Sequence, residues 1–294
     1  MFITLLKIEL FKIYKKPRTY IAFGAIAVMI ILIQLAIKVQ GTELINFFLG
    51  SQNSTFEYEP QKILNGYFVC FFILNTLLIH VPLLVALIAG DLVAGEANMG
   101  TLRLLVSKPV SRQMLMLSKF SAAVVYVVML LIWMAFLSLL GSILLFGTND
   151  LVVIKESGFY IIKSQDVLWR FFAAFLFASL ALVCIAALAF MLSVFAENSI
   201  GPIVATVCIV IVFTIIQQLQ VPMFQEYASP YLFTTHMLGW KGFFYVRATE
   251  DNETIRGSVE NAGYILKSGI ILTAYTLGFL LMGVLSFKRK DILS

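Results

Sequence analysis

The chain has 294 residues and a formal charge of +5; 61% of the residues are apolar and 13% charged, against roughly 45–50% and 25% in a soluble domain. A water-soluble fold of this length has nowhere to put that much apolar surface, and the ionisable residues interrupt long apolar runs at intervals. These proportions exclude an ordinary soluble domain and leave a polytopic membrane protein.

Residues 2–16 predict an amphipathic helix lying in the membrane surface. Phe2, Ile3, Leu6, Leu10, Ile13 and Tyr14 fall within about 120° of one helical face, and Lys7, Glu9, Lys12, Lys15 and Lys16 lie outside it. Pro17 breaks that helix so that the chain can turn into the bilayer. Six apolar stretches then reach the length, about 20 residues, that a helix needs to cross roughly 30 Å of hydrocarbon. They predict spans at about 19–39, 67–90, 120–146, 171–195, 200–220 and 268–287. The first lacks a small-residue cleavage pattern and reads as an uncleaved helix. Cys70, Cys184 and Cys208 fall inside apolar stretches without CxxC spacing, so they read as packing residues rather than a disulfide framework or zinc site.

Six spans put both ends on one side. The face with the N-terminus, the loop between spans two and three, the short connection between spans four and five and the C-terminus carries twelve basic residues against five acidic ones; the opposite face carries nine against eleven. The excess of Lys and Arg predicts that both termini and the 95–118 loop are cytosolic in the cell (inner or plasma) membrane. Anionic lipid accounts for the basic balance, with no nucleic acid required. The outer loop at 221–267 holds an apolar, aromatic section, Tyr227 to Trp240, too short to cross and suited to a re-entrant or interfacial helix.

The stretch after the second span is the most specific: an acidic residue, Glu96, then Gly100-Thr101, a Leu-rich run with Leu102, Leu104 and Leu105, a Pro109-Val-Ser111-Arg112 turn, and Lys119 opening the next helix. This pattern resembles, position by position, the cytosolic loop of type 2 ABC transporter permeases. The resemblance extends more weakly over the whole chain, through the surface helix, the six spans and the long outer loop before the last one. It implies an all-α membrane protein with six transmembrane helices, an N-terminal interfacial helix and a cytosolic coupling helix between spans two and three. It implies an export-type permease that forms a dimer with a second copy or paralogue, each half docked on a separate ABC ATP-binding subunit.

The residues make physical sense in that role. Met99 to Ser107 predicts a short, largely apolar helix carrying Arg103, and an exposed apolar patch of that kind needs a protein or lipid surface to cover it. Glu96 and Arg112 flank it as charges able to fix register with a partner. Pro109 ends the helix, and Ser111 is placed to cap the third span.

A phosphate-cradling G-x-x-x-x-G-K-[ST] loop is absent; the nearest miss, Gly90 to Gly95, is followed by Glu96, whose carboxylate repels phosphate. The chain is therefore expected to be no enzyme and to hold no cofactor, with ATP and magnesium on the partner subunit. In the second span, Asn75 and His80 are candidates to line a path or to bond a neighbouring helix at the turn loosened by Pro82. Asp91 reads as a solvated charge at the cytosolic interface. Met223, His236 and Met237 are soft copper ligands but too scattered to predict a metal site. An ion-coupled secondary transporter and a non-transporting sensor or scaffold are the rival readings. The spans hold almost no charge and show no internal repeat, which disfavours the first of these.

Overall fold

The computed structural model describes residues 1–50, 63–106, 109–155, 158–219, 221–247 and 255–290. Its first element, α1 (Phe2–Lys15), ends where proline chemistry requires. Lys16 is extended, as the residue before a proline should be, and Pro17 opens α2 (Pro17–Gly50) at the first helical position, where its missing N–H costs nothing. The remaining long helices are α3 (Gly66–Ala89), α6 (Arg112–Phe146), α7 (Ser164–Phe195), α8 (Ile200–Gln218) and α10 (Ala262–Arg289). With α2 they make six helices, among the described residues, long and apolar enough to cross a membrane. The chain is a nearly all-α, multi-pass membrane protein.

The bundle is built around α7. Of its most apolar window 61% is buried, against 17% for α8, so α7 is the central helix and α8 a peripheral one. Small residues explain the difference: Ala174, Ala178, Ala181, Ala186, Ala187 and Ala189 are all buried and let neighbouring helices approach closely. In α6 a π-helical turn over Phe136–Leu140 re-aims a backbone carbonyl. Gln34 of α2 donates to that carbonyl of Leu137 at 3.1 Å and to Ser142 Oγ at 3.1 Å, pinning the first span to the third.

The end of the bundle away from the termini is closed by its connections. Asn65 caps α3 by accepting from the amides of Tyr67 and Phe68 and donates to the carbonyl of Asp150. Residues 151–162, expected to be part of an outer loop, instead form an antiparallel hairpin, β1 (Leu151–Lys155) with β2 (Gly158–Ile162), paired Leu151 to Ile162. Leu151, Val153 and Ile162 face the core, and this covers an apolar hairpin face that water would not tolerate. The aromatic section of the last loop folds inward as α9 (Phe233–Met237) and a 3-10 turn (Leu238–Phe244). Trp240 and Phe244 pack with Phe71 and Phe171 at ring separations of 4.9 to 6.1 Å. It is therefore packed on protein, with Tyr227 and Tyr231 left as its exposed rings.

Candidate functional site

At the end that carries both termini, the connection between α3 and α6 folds as two short helices, α4 (Ala94–Asn98) and α5 (Thr101–Val106). Gly100 sits between them at φ +69°, a left-handed conformation that glycine adopts without a Cβ clash. Ser193 of α7 accepts from the amides of Val93 and Ala94, satisfying donors that the start of a helix leaves open. The loop is thereby held against the central helix.

Two carboxylates of this loop collect the cations around them. Asp91 accepts from Lys16 at 2.6 Å, pairs with Arg18 at 3.0 Å and takes a short hydrogen bond from the hydroxyl of Ser199. The reading of Asp91 as a solvated charge is corrected: it is buried and ties the starts of α2 and α8 to the end of α3. Its fit is close enough that a Cβ on Gly95 would collide with the Asp91 carboxylate.

Glu96 also departs from expectation. Its side chain is 7% exposed and turned into the protein, where it closes a four-charge ring. Lys12 bridges Glu9 at 2.7 Å and Glu96 at 2.8 Å, and Lys119, fully buried, bridges the same two residues at 2.9 and 2.7 Å. Each carboxylate thus meets a different cation with each oxygen. Burial by itself would push the Glu9 carboxyl up, but the Lys119 charge and the hydrogen bonds from Lys12 and Lys119 hold it below its ordinary value. Burial would likewise lower the Lys12 ammonium, and its bonds to Glu9 and Glu96 raise it instead. Arg112, the other charge expected to set register with a partner, instead donates to the carbonyls of Lys288 and Lys290, so it caps the C-terminal end of α10.

The remaining loop residues divide by burial. Leu102 faces the core, and the Thr101 hydroxyl donates back to the carbonyl of Glu96 at 3.3 Å. Pro109 is exposed. Arg103 lies on α5, with its side chain outside the described residues, as are Ser107 and Lys108. Met99 is 61% exposed and Leu104 68%, with Leu105 half-buried beside them. These three, with Thr101 and Glu96, form one wall of a groove of about 490 Å³. The other wall is α1: Phe11, 65% exposed, with Lys12, Lys15 and Lys16. The expected placement of the Phe2, Ile3, Leu6, Leu10, Ile13 and Tyr14 arc on lipid is therefore revised in part. Leu6, Leu10 and Ile13 pack on the protein, Phe2 and Ile3 stay exposed, and Ile8 and Phe11, outside the arc, are also turned outward.

The path-lining candidates lie elsewhere, on α3. Asn75 is half-buried, whereas His80 is exposed beside Thr76 and donates from Nδ1 to the Thr76 carbonyl at 2.9 Å. Of the soft-ligand candidates, Met223 is exposed, and both ring nitrogens of His236 are engaged, with Ser268 Oγ and the carbonyl of Pro230. Sequence reasoning passed over Glu9, Lys12, Ser193, Ser199 and Gln34. The one signal available was Glu9, the single acid in an otherwise basic N-terminal segment.

Residues 25–293 match the family model described as "Protein of unknown function (DUF2705)". The chain belongs to the DUF2705 family. This DUF2705 member is similar to a Bacillus subtilis (strain 168) protein described as "Uncharacterized protein YhcI", at 23% identity over 212 residues. That match covers 70% of this chain and 63% of the relative, so the chain spans under two thirds of the relative's length.

Proposed function

We propose that this DUF2705 chain is the permease subunit of an ATP-driven transporter of the type 2 ABC class, of export type, with its termini in the cytosol. The observation that carries the reading is the groove between α1 and the α4–α5 loop. It lies at the end bearing the Lys and Arg excess, beyond the apolar spans, with Phe11, Met99 and Leu104 exposed along it. A partner surface is needed to cover apolar side chains clustered in this way. Of the cations lining the groove, Lys12 and Lys16 are already paired with Glu9, Glu96 and Asp91, which leaves Lys15, over the Phe11 ring, as the cation facing a partner. The occupant is therefore a segment with apolar side chains and at least one carboxylate, supplied by a separate ATP-binding subunit that holds ATP and magnesium. Energy enters the permease here because nucleotide-driven motion of that subunit acts on the groove and, through Asp91 and Ser193, on α2, α7 and α8.

A second copy or a paralogue completes the path. His80 stands exposed on α3 within its apolar run, where an imidazole facing lipid alone is costly. A facing permease covers it and makes Asn75 and His80 part of the lining.

The test is co-purification with a candidate ABC ATP-binding subunit, scored together with ATP turnover. Arg103→Glu combined with Leu104→Asp and Leu105→Asp sets charges in the groove wall while leaving the spans intact. Association should fall by orders of magnitude, since each buried unpaired charge costs roughly several kcal/mol. A triple variant that inserts, co-purifies and supports normal turnover overturns the docking assignment.

A further inference from the structure

We infer that Glu9, Lys12 and Lys119 are positioning residues of the docking groove: through Glu96 they fasten the N-terminal helix to the α4–α5 loop, so that the groove's two walls form one unit. The inference rests on the proposed docking role for the meaning of the groove, but the ring itself is a property of this chain alone.

The two walls come from segments about 90 residues apart in sequence. Phe11 stands one residue from Lys12 on α1, and Leu104 stands on α5, eight residues beyond Glu96 of α4, so each wall carries a ring residue or adjoins the helix that does. The contacts at 2.7 to 2.9 Å alternate in sign around a closed circuit, Glu9 to Lys12 to Glu96 to Lys119 and back. Opening the circuit at one corner leaves at least one charge short of a partner in a place water hardly reaches, because Lys119 is fully buried and both carboxylates nearly so. The three elements it joins are α1, the α4–α5 loop and the start of α6. A charge ring of this kind specifies one arrangement of the walls, which apolar contact alone would not.

The experiment uses the full chain in lipid nanodiscs, without any ATPase, with the native cysteines replaced and spin labels at Phe11→Cys and Leu104→Cys. Pulsed dipolar spectroscopy should give one narrow distance with the native ring. Glu9→Gln, which cuts the ion pair between α1 and Lys119 and leaves Lys12 on Glu96, should broaden it and add a longer component. Lys119→Met should do so more strongly. The fourfold reversal Glu9→Lys, Lys12→Glu, Glu96→Lys and Lys119→Glu restores alternation without altering the net charge of α1 or of the whole chain, and should restore the narrow distance. That recovery separates positioning by charge from simple packing of these side chains. A narrow distance in Glu9→Gln and Lys119→Met, or a reversal that stays broad, overturns the inference. Lost ATPase association with the narrow distance intact would instead sink the docking role and leave the ring standing.

Discussion

Replacing Lys119 by Met removes a fully buried ammonium and breaks its contacts of 2.9 Å to Glu9 and 2.7 Å to Glu96. What remains is two nearly buried carboxylates sharing one cation, Lys12, whose side chain is 35% exposed. Breaking a buried ion pair from one side costs roughly 3–5 kcal/mol, because the abandoned charge keeps its desolvation penalty. The same truncation at Lys12 removes a half-solvated cation and leaves Lys119 between the carboxylates, so its cost should be on the order of 1 kcal/mol. At about 2–4 °C per kcal/mol for chains of 150–250 residues, Lys119→Met should lower the melting temperature by on the order of 10 °C and Lys12→Met by only a few degrees. The assay is thermal unfolding of the purified chain in one detergent, read by tryptophan fluorescence. Adding Glu9→Gln to each variant then isolates the pairwise coupling. Equal, small shifts for the two lysine variants would show that Lys119 does not sit in a closed ring.

The ring also predicts a pH window. Glu9 is held below its ordinary 4.5, so its contribution is fully present above that value and is lost as pH falls through the lower, folded value. Lys12 is raised above 10.5, so its contribution is present below that value and is lost as pH rises through the higher, folded one. Melting temperature against pH should therefore be flatter between pH 5 and pH 10 in the native chain than outside that window; acid loss unchanged by Glu9→Gln would refute the assignment to Glu9. For orientation, single cysteines at Ser51, Ser107 and Ser258 in a background without native cysteines should place Ser107 in the cytosol and the other two outside; Ser51 and Ser107 lie outside the described residues. Labelling of Ser107→Cys by an impermeant thiol reagent in intact cells, or protection of Ser258→Cys, would reverse the proposed topology.

The spans were legible because a run of some 20 apolar residues has one physical outcome in a bilayer, and each expected span falls on one of the six long apolar helices, although α6 begins eight residues and α7 seven before the expected start. The cap at Ser111 was legible too, since a serine before a helical run has a definite use, and its Oγ accepts from the amide of Met114. Charges were harder. Lys119 read as the edge of the third span because a cation normally marks where hydrocarbon begins, yet α6 starts at Arg112 and carries Lys119 two turns inward. Its neutralising partner Glu9 is 110 residues away, and no local pattern announces a pairing of that range. Glu9 itself lay about 20° outside the arc assigned to the apolar side of α1 and about 80° from its centre. The hairpin over residues 151–162 did leave a trace, two runs rich in Val, Ile and aromatic residues around Gly158, but flanking spans drew the segment into the description of a loop.

The chemistry of the two ends of the bundle differs in a way that bears on which end moves. Away from the termini, Arg170 is wholly buried and donates to Asp166, to the carbonyl of Phe243 at 2.6 Å and to that of Ser258 at 2.8 Å. Aromatic packing surrounds it, and the segments it binds are the loop's own backbone. Such a centre has one arrangement, since displaced carbonyls would find no other donor in the core. At the other end, Asp91 and Glu96 are held by side-chain cations, three of which, Lys12, Lys16 and Arg18, are about one third exposed. Long, partly hydrated cations can exchange one carboxylate for another, or for water, at small cost. Lys119 cannot, and it anchors the ring to α6. The groove end is thus held as one unit by the ring about the fixed Lys119, while Lys16 and Arg18, the part-exposed cations on Asp91, let that unit shift against the starts of α2 and α8, so a force applied at Leu104 would reach Asp91 before the aromatic core.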